Sequence, residues 1–291
     1  MVNDILYWSD LPYGGEDHPP HDPVDPEAGS WPTFYLTRTG NRFAGPRGPI
    51  DFKVRHPDTI DWREQLHLVH ETIANLTKKQ IQIAKYWGTG PATKQWTPII
   101  DRLIDTYNLT PTRAARVLAA VQAGINDTFV VVWHYKYLWN IARPNQYDPS
   151  LAPVLCTPRF PTYVSGHASI SGCAETILSY FFPGEAKRLK ALAEEDAISR
   201  LYGGVHFPID NDEGLSLGRQ IGTIITKELA RQRDKEGNRI DTPFRTDLKA
   251  ELQPPPYTQG IPYEFDNSCS SRTAQTERPH TDGPSHPRLY I

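Results

Sequence analysis

Apolar residues recur three and four positions apart through the middle of the chain, and almost nowhere do they alternate. Leu66, Val69, Ile73 and Leu76 set the rhythm of a first helix. Thr97-Pro98 and Thr110-Pro111 each put a hydroxyl before a proline, the arrangement that opens a helix. The second predicts a long helix ending at Arg143, on which Trp133, Lys136, Asn140 and Arg143 form one stripe. Lys136 and Arg143 would leave one face about 10 Å apart along the axis. Pro144 would then turn the chain away. Further helices are predicted from Gly166 to Phe182, from about Glu185 to Leu201, and from Glu213 to about Arg233. Pro183 stops the first, Gly203-Gly204 ends the second, and Asp210-Asn211-Asp212 caps the third. The expected fold class is all-α: a helical bundle with long irregular loops and Pro-rich termini, its site between facing helices.

Composition divides the chain into three stretches within one domain. Residues 1–57 are rich in Pro, Gly and Asp. Although His18 and His21 stand there, the stretch reads as a solvated, extended arm rather than a metal site. Residues 58–235 carry the helices and form the catalytic domain. Residues 236–291, with Pro254-Pro255-Pro256, read as a polar tail or wrap. No internal repeat of fixed period is evident.

Charge and cysteine usage restrict the function. A net charge of −3, with no basic tract, argues against a nucleic-acid partner. The longest apolar run, around Ile125 to Trp133, is interrupted by Asn126 and Asp127 and is too short for a bilayer, so no membrane span is expected. Met1-Val2-Asn3-Asp4 lacks the features of a secretory signal, which points to the cytoplasm. Cys156, Cys173 and Cys269 show no metal-binding spacing. Cys156 and Cys173 flank Ser165-Gly166-His167, where a disulfide would fit, but reduced thiols are the expectation. Homo-oligomerisation is left open.

The chemistry lies in three ordered pieces. Lys136 is followed after six residues by Arg143-Pro144; then comes Ser165-Gly166-His167; then Ser199-Arg200, five residues, His206, three residues and Asp210. Singly, each has a bland reading as a helix end or a turn. Together they supply three cations, a hydroxyl, a backbone N–H at a helix start and two imidazoles, which suits a small tetrahedral oxyanion with one apical ligand.

These pieces resemble the signature of a superfamily containing type 2 phosphatidic acid phosphatases, bacterial non-specific acid phosphatases and vanadium-dependent haloperoxidases. One departure is Val164, where the family usually has Pro. Flanking segments resemble the haloperoxidase branch: Leu76-Thr77 through Tyr86-Trp87-Gly88-Thr89-Gly90-Pro91, Asn126-Asp127, and Phe160-Pro161-Thr162-Tyr163. The resemblance spans roughly residues 60 to 230. It implies vanadate as cofactor, with phosphate fitting the same site. Lys136, Arg143, Ser165, Gly166 N–H and Arg200 would hold its oxygens, and His206 would bind vanadium. Asp210 would orient His206, His167 would be the acid–base group, and Lys136 would polarise hydrogen peroxide. Trp133 and Phe160 would wall a halide pocket, although an aromatic pair beside a helix is equally often core packing. The implied activity is oxidation of chloride or bromide by hydrogen peroxide to a hypohalous species, which then meets a small organic acceptor. The alternative implied by the same residues is a soluble phosphomonoesterase acting through a phosphohistidine at His206.

Overall fold

The computed structural model describes residues 5–261 and 268–272. Residues 1–4, where the sequence reading sought a secretory signal, and residues 262–267 and 273–291 of the expected tail, lie outside the described residues. Eight α-helices occur among the described residues: α1 (Trp62–Ala74), α2 (Lys78–Trp87), α3 (Trp96–Thr106), α4 (Pro111–Trp139), the short α5 (Pro144–Tyr147), α6 (Gly166–Phe181), α7 (Ala186–Tyr202) and α8 (Pro208–Leu229). The all-α expectation therefore holds. The core lies where α6 packs against α8, α7 and α4, with α2 beside α7. Trp62, Trp87 and Trp96 are among its largest fully buried side chains. Each such ring contributes on the order of 3 kcal/mol by leaving water.

Glycine lets α6 and α8 approach closely. Opposite Gly218 on α8, a Cβ would meet the Ser169 carbonyl oxygen of α6 at 1.8 Å. At Gly214 it would meet the Ser165 carbonyl at 2.8 Å. The two helix backbones thus touch where side chains would hold them apart, and this contact sets the separation of the two N-termini.

Several boundaries differ from those predicted. The long helix ends at Trp139, because Asn140 adopts a left-handed conformation (φ 53°) and returns its N–H to the Lys136 carbonyl. Arg143 is extended (φ −79°, ψ 159°), as a residue before proline must be, and opens α5 instead of closing α4. Lys136 and Arg143 therefore do not share a helix face. Helix α3 begins at Trp96, so Pro98 sits within its first turn, where no backbone donor is required. Helix α8 begins at Pro208, and Asp210 lies inside it, accepting from Phe207 N at 3.0 Å.

A small antiparallel sheet was missed by the sequence: β1 (Thr37–Thr39), β2 (Arg42–Gly45) and β3 (Gly48–Ile50), in the order β1-β2-β3. These strands are three or four residues long, too short for alternation to register. Nor is the leading stretch a solvated arm. Trp8, Tyr13, Leu36, Phe43 and Phe52 are buried against the helices. Asp127 on α4, itself fully buried, accepts the backbone N–H groups of Phe34, Tyr35 and Leu36 at 2.7–2.9 Å. Those three donors satisfy a carboxylate that burial would otherwise penalise.

The expectation of reduced thiols is also corrected for two of the three cysteines. Cys156 is bonded to Cys269 across a separation of 113 residues, while Cys173 is a buried free thiol on α6. Cys173 is spent instead on packing beside Gly124 of α4. Helix α4, at 29 residues, is long and apolar enough by composition to cross a membrane. The sequence argument from a short apolar run therefore does not hold. In this fold 56% of its most apolar window is buried within the protein, as for a core helix.

Candidate oxyanion site

Four backbone segments deliver the polar groups to one buried pocket. The last turn of α4 carries Lys136, the loop before α5 carries Arg143, the start of α6 carries Ser165 to His167, and the α7–α8 corner carries Arg200, His206 and Asp210. Lys136, Arg143, Ser165 and Asp210 are fully buried, and Arg200 and His206 are 4% and 2% exposed. Ser165 caps α6 by accepting from Ala168 N at 3.4 Å, and its N–H donates to the Asp210 carbonyl at 2.9 Å, which ties α6 to α8.

His206, two residues before α8, and Asp210, in its first turn, are four residues apart, with Nδ1 and Oδ2 at 2.7 Å. This pairing assigns the Nδ1 proton to the carboxylate side and puts the ring's lone pair on Nε2. Arg143 Nη1 approaches that Nε2 at 3.1 Å. Thr162, which sequence reasoning passed over except as flank, completes the group: its Oγ1 lies 3.1 Å from His206 Nδ1 and donates to Asp210 Oδ2. Arg143 is held by the Phe160 carbonyl at Nε and the Val205 carbonyl at Nη1, at 2.9 and 2.7 Å. Lys136 Nζ donates to the Pro161 and Thr162 carbonyls, both at 2.7 Å. An ammonium has three protons, so one remains.

Charges of one sign dominate. Burial, then Arg143 and Arg200, hold Lys136 well below its ordinary value, against the pull of Asp210. Burial brings Arg143 and Arg200 down to about 10, so both stay charged at neutral pH. His206 is held well below its usual value by burial and then by Arg143, Lys136 and Arg200. His167 is lowered likewise by burial and Arg200, while its bond to the Trp87 backbone opposes the shift. Asp210 is raised to about 6 by burial, opposed by the Thr162 hydroxyl and Lys136.

Several polar atoms here have no protein partner: the donors Arg143 Nη2 and Arg200 Nε and Nη1 are buried and unbonded, and so is the acceptor His167 Nε2. Buried unpaired guanidinium N–H groups are expensive, and an oxyanion satisfies them. Among the described residues no cluster of three or more His, Cys, Asp or Glu side chains is arranged to hold a bare cation. The donor set fits tetrahedral vanadate or phosphate, with nitrogen lone pairs on His206 Nε2 and His167 Nε2 beside it.

Trp133 and Phe160 pack with centroids 4.8 Å apart at the pocket edge. Phe160 also faces Lys136 Nζ and Arg143 Cζ at 5.1 and 4.9 Å. A Cβ on Gly166 would meet Trp133 at 3.6 Å, so the aromatic wall reaches the start of α6. Val24 of the leading stretch accepts from Trp133 Nε1 and Tyr137 OH through its carbonyl, a contact with no sequence signal.

The sequence matches none of the curated proteins. Among solved structures, one titled the first bacterial vanadium-dependent iodoperoxidase is 26% identical, with a TM-score of 0.60, covering 78% of this chain and 62% of that one. Apo- and holo-type structures of a bacterial vanadium-dependent chloroperoxidase are 14% and 16% identical, with TM-scores of 0.57 and 0.54. Each covers 78% of this chain, and 63% and 62% of the relative; they speak for the fold alone. The chain therefore spans under two thirds of the length of these relatives. The model of the PAP2 superfamily matches residues 115–234, a span that contains Lys136, Arg143, His167, Arg200, His206 and Asp210. Residues 115–234 are a PAP2-superfamily domain.

Proposed function

We propose that this chain is a vanadate-dependent haloperoxidase that uses hydrogen peroxide to oxidise halide, releasing a hypohalous species to a small organic acceptor. The observation that carries this reading is the set of unpartnered cationic N–H groups on Arg143 and Arg200 around the His206 Nε2 lone pair. Arg143, Arg200 and the third proton of Lys136 hold the oxyanion and neutralise its charge. The Gly166 N–H joins them at the α6 N-terminus, where the helix dipole favours negative charge. His206 Nε2 would bind vanadium, and Asp210 fixes the ring for that role by holding the proton at Nδ1. His167, with Nε2 unpartnered and the opposite side of its ring anchored at Trp87, takes a proton from hydrogen peroxide at Nε2 and returns it later. Vanadate, when bound, supplies the Lewis acidity that makes peroxide electrophilic toward halide. Trp133 and Phe160 wall the halide side.

The neighbour at 26% identity is titled an iodoperoxidase, so iodide belongs in the assay beside bromide and chloride. The Cys156–Cys269 bond favours an oxidising compartment over the cytoplasm first expected. The test is a paired assay of purified protein. Orthovanadate-loaded enzyme should halogenate a chromogenic acceptor in the presence of halide and hydrogen peroxide. Fast hydrolysis of an aryl phosphate without halide oxidation would instead assign His206 Nε2 as the nucleophile of a phosphatase.

A further inference from the structure

One helical turn behind the pocket, three buried polar side chains form a chain of hydrogen bonds that the proposed chemistry does not use. Trp96 Nε1 on α3 donates to Ser171 Oγ on α6 at 2.7 Å. Ser171 Oγ donates in turn to Asp196 Oδ2 on α7 at 2.5 Å. All three residues are fully buried. Their positions have a simple helical meaning. Ser171 follows His167 by four residues on α6, and Asp196 precedes Arg200 by four on α7. Residues four apart lie on one helix face, about 5–6 Å from each other. The Ser171–Asp196 bond therefore joins α6 to α7 directly beneath the pair His167 and Arg200.

Arg200 needs such support. Its Nε and Nη1 have no protein partner; the buried charges acting on it are Asp196, which attracts it, and Arg143, which repels it. Packing alone is indifferent to small slides of one helix along another, whereas a buried hydrogen bond is lost outright when the slide exceeds a few tenths of an ångström. Replacing a buried carboxylate by a hydrocarbon would suit the core better unless its position mattered.

We infer that Asp196 is a positioning residue: through Ser171 it locks α7 to α6 one turn behind the pocket, and so sets the spacing of Arg200 and His167 across the bound oxyanion. This rests on the oxyanion reading of the site. Burial raises the Asp196 carboxyl to about 7. The bond does not depend on its charge, since Oδ2 accepts the Ser171 proton in either form. An asparagine, whose amide oxygen also accepts, should substitute.

The test uses the full chain and orthovanadate as the probe, with affinity measured by titration calorimetry well below the unfolding temperature of each variant. Asp196→Ala and Ser171→Ala should each weaken orthovanadate binding by roughly tenfold or more, as misplaced charged contacts do. Asp196→Asn should stay within about threefold of the parent, because it keeps the acceptor. Should Asp196→Ala fail to fold, Ser171→Ala, which removes one oxygen, carries the test. Unchanged affinity in either alanine variant overturns the assignment, even if its melting temperature falls. So does equal loss in Asp196→Asn, which would make charge rather than the bond responsible. If the unsubstituted protein itself binds no orthovanadate, the oxyanion reading fails first, and this assignment goes with it.

Discussion

Replacing Gly218 by alanine probes the contact on which the site geometry depends. The added Cβ would sit 1.8 Å from the Ser169 carbonyl oxygen, 2.8 Å from its carbon and 2.9 Å from Cys173 N. All three are backbone atoms, so no side-chain rotation relieves the overlap. Helices α6 and α8 must open by about 1.2 Å to bring the closest contact to 3.0 Å. Overpacking of this kind costs ~1–3 kcal/mol, and a rigid backbone neighbour places Gly218→Ala at the upper end. Alanine returns about 1 kcal/mol through its better helix propensity. The expected net loss is about 2 kcal/mol, read as a lower urea midpoint with an unchanged slope. His167 and His206 ride on the two helices that part, so turnover should fall roughly 100-fold, the scale of a 1 Å misplacement. Gly260→Ala is the control: its nearest neighbours, Pro98 Cβ and Cγ, would lie at 3.5 and 3.6 Å, an ordinary contact. A Gly218→Ala protein that unfolds and turns over like the parent would refute the claim that the close approach sets the site.

His206→Ala should abolish orthovanadate retention by equilibrium dialysis, whereas His167→Ala should retain the anion and lose turnover; equal loss of retention in both contradicts their separate roles. Sulfate, which does not titrate near neutrality, should bind more weakly as pH rises. The sign follows from Lys136, His167 and His206, all held below their ordinary values without the anion. A bound anion raises them, so binding takes up protons and is lost as pH passes through the bound-state values; calorimetry showing no proton uptake would contradict this. Thiol titration should find no reactive cysteine in the native protein and one, Cys173, after denaturation; two or three would deny the Cys156–Cys269 bond.

The first helix was legible from its apolar period, and α3, α4, α6, α7 and α8 from the prolines, glycines and capping residues at their ends; the four-residue α5 carried no such signal. The site was legible as an inventory. Sequence spacing could not report its geometry: the seven-residue step from Lys136 to Arg143 looked like two turns of helix, but Asn140 enters the left-handed region and breaks it. Asparagine tolerates that conformation better than most residues, though nothing local demands it. Thr162 and the Val24 carbonyl were invisible for a different reason. They act through contacts made across long stretches of chain, and a backbone oxygen has no residue type to announce it. Asn126-Asp127 shows in the sequence as a break in an apolar run and a flank of the resemblance, while the partners of Asp127 are three amides over ninety residues upstream.

The loop before α6 is gripped from both directions. Arg159 makes a paired contact with Glu16 at 2.6 and 2.7 Å, and Ser270 Oγ donates to the same Glu16 at 2.8 Å. Ser271 receives Thr157 N, and Cys269 is bonded to Cys156. On the ribosome this has a temporal cost. The helices and the Arg159–Glu16 contact can form as they emerge, but the segment bearing Phe160 and Thr162 lacks its second clasp until residues near 270 have left the exit tunnel. Newly made chains should therefore acquire their compact shape well before they acquire a competent pocket.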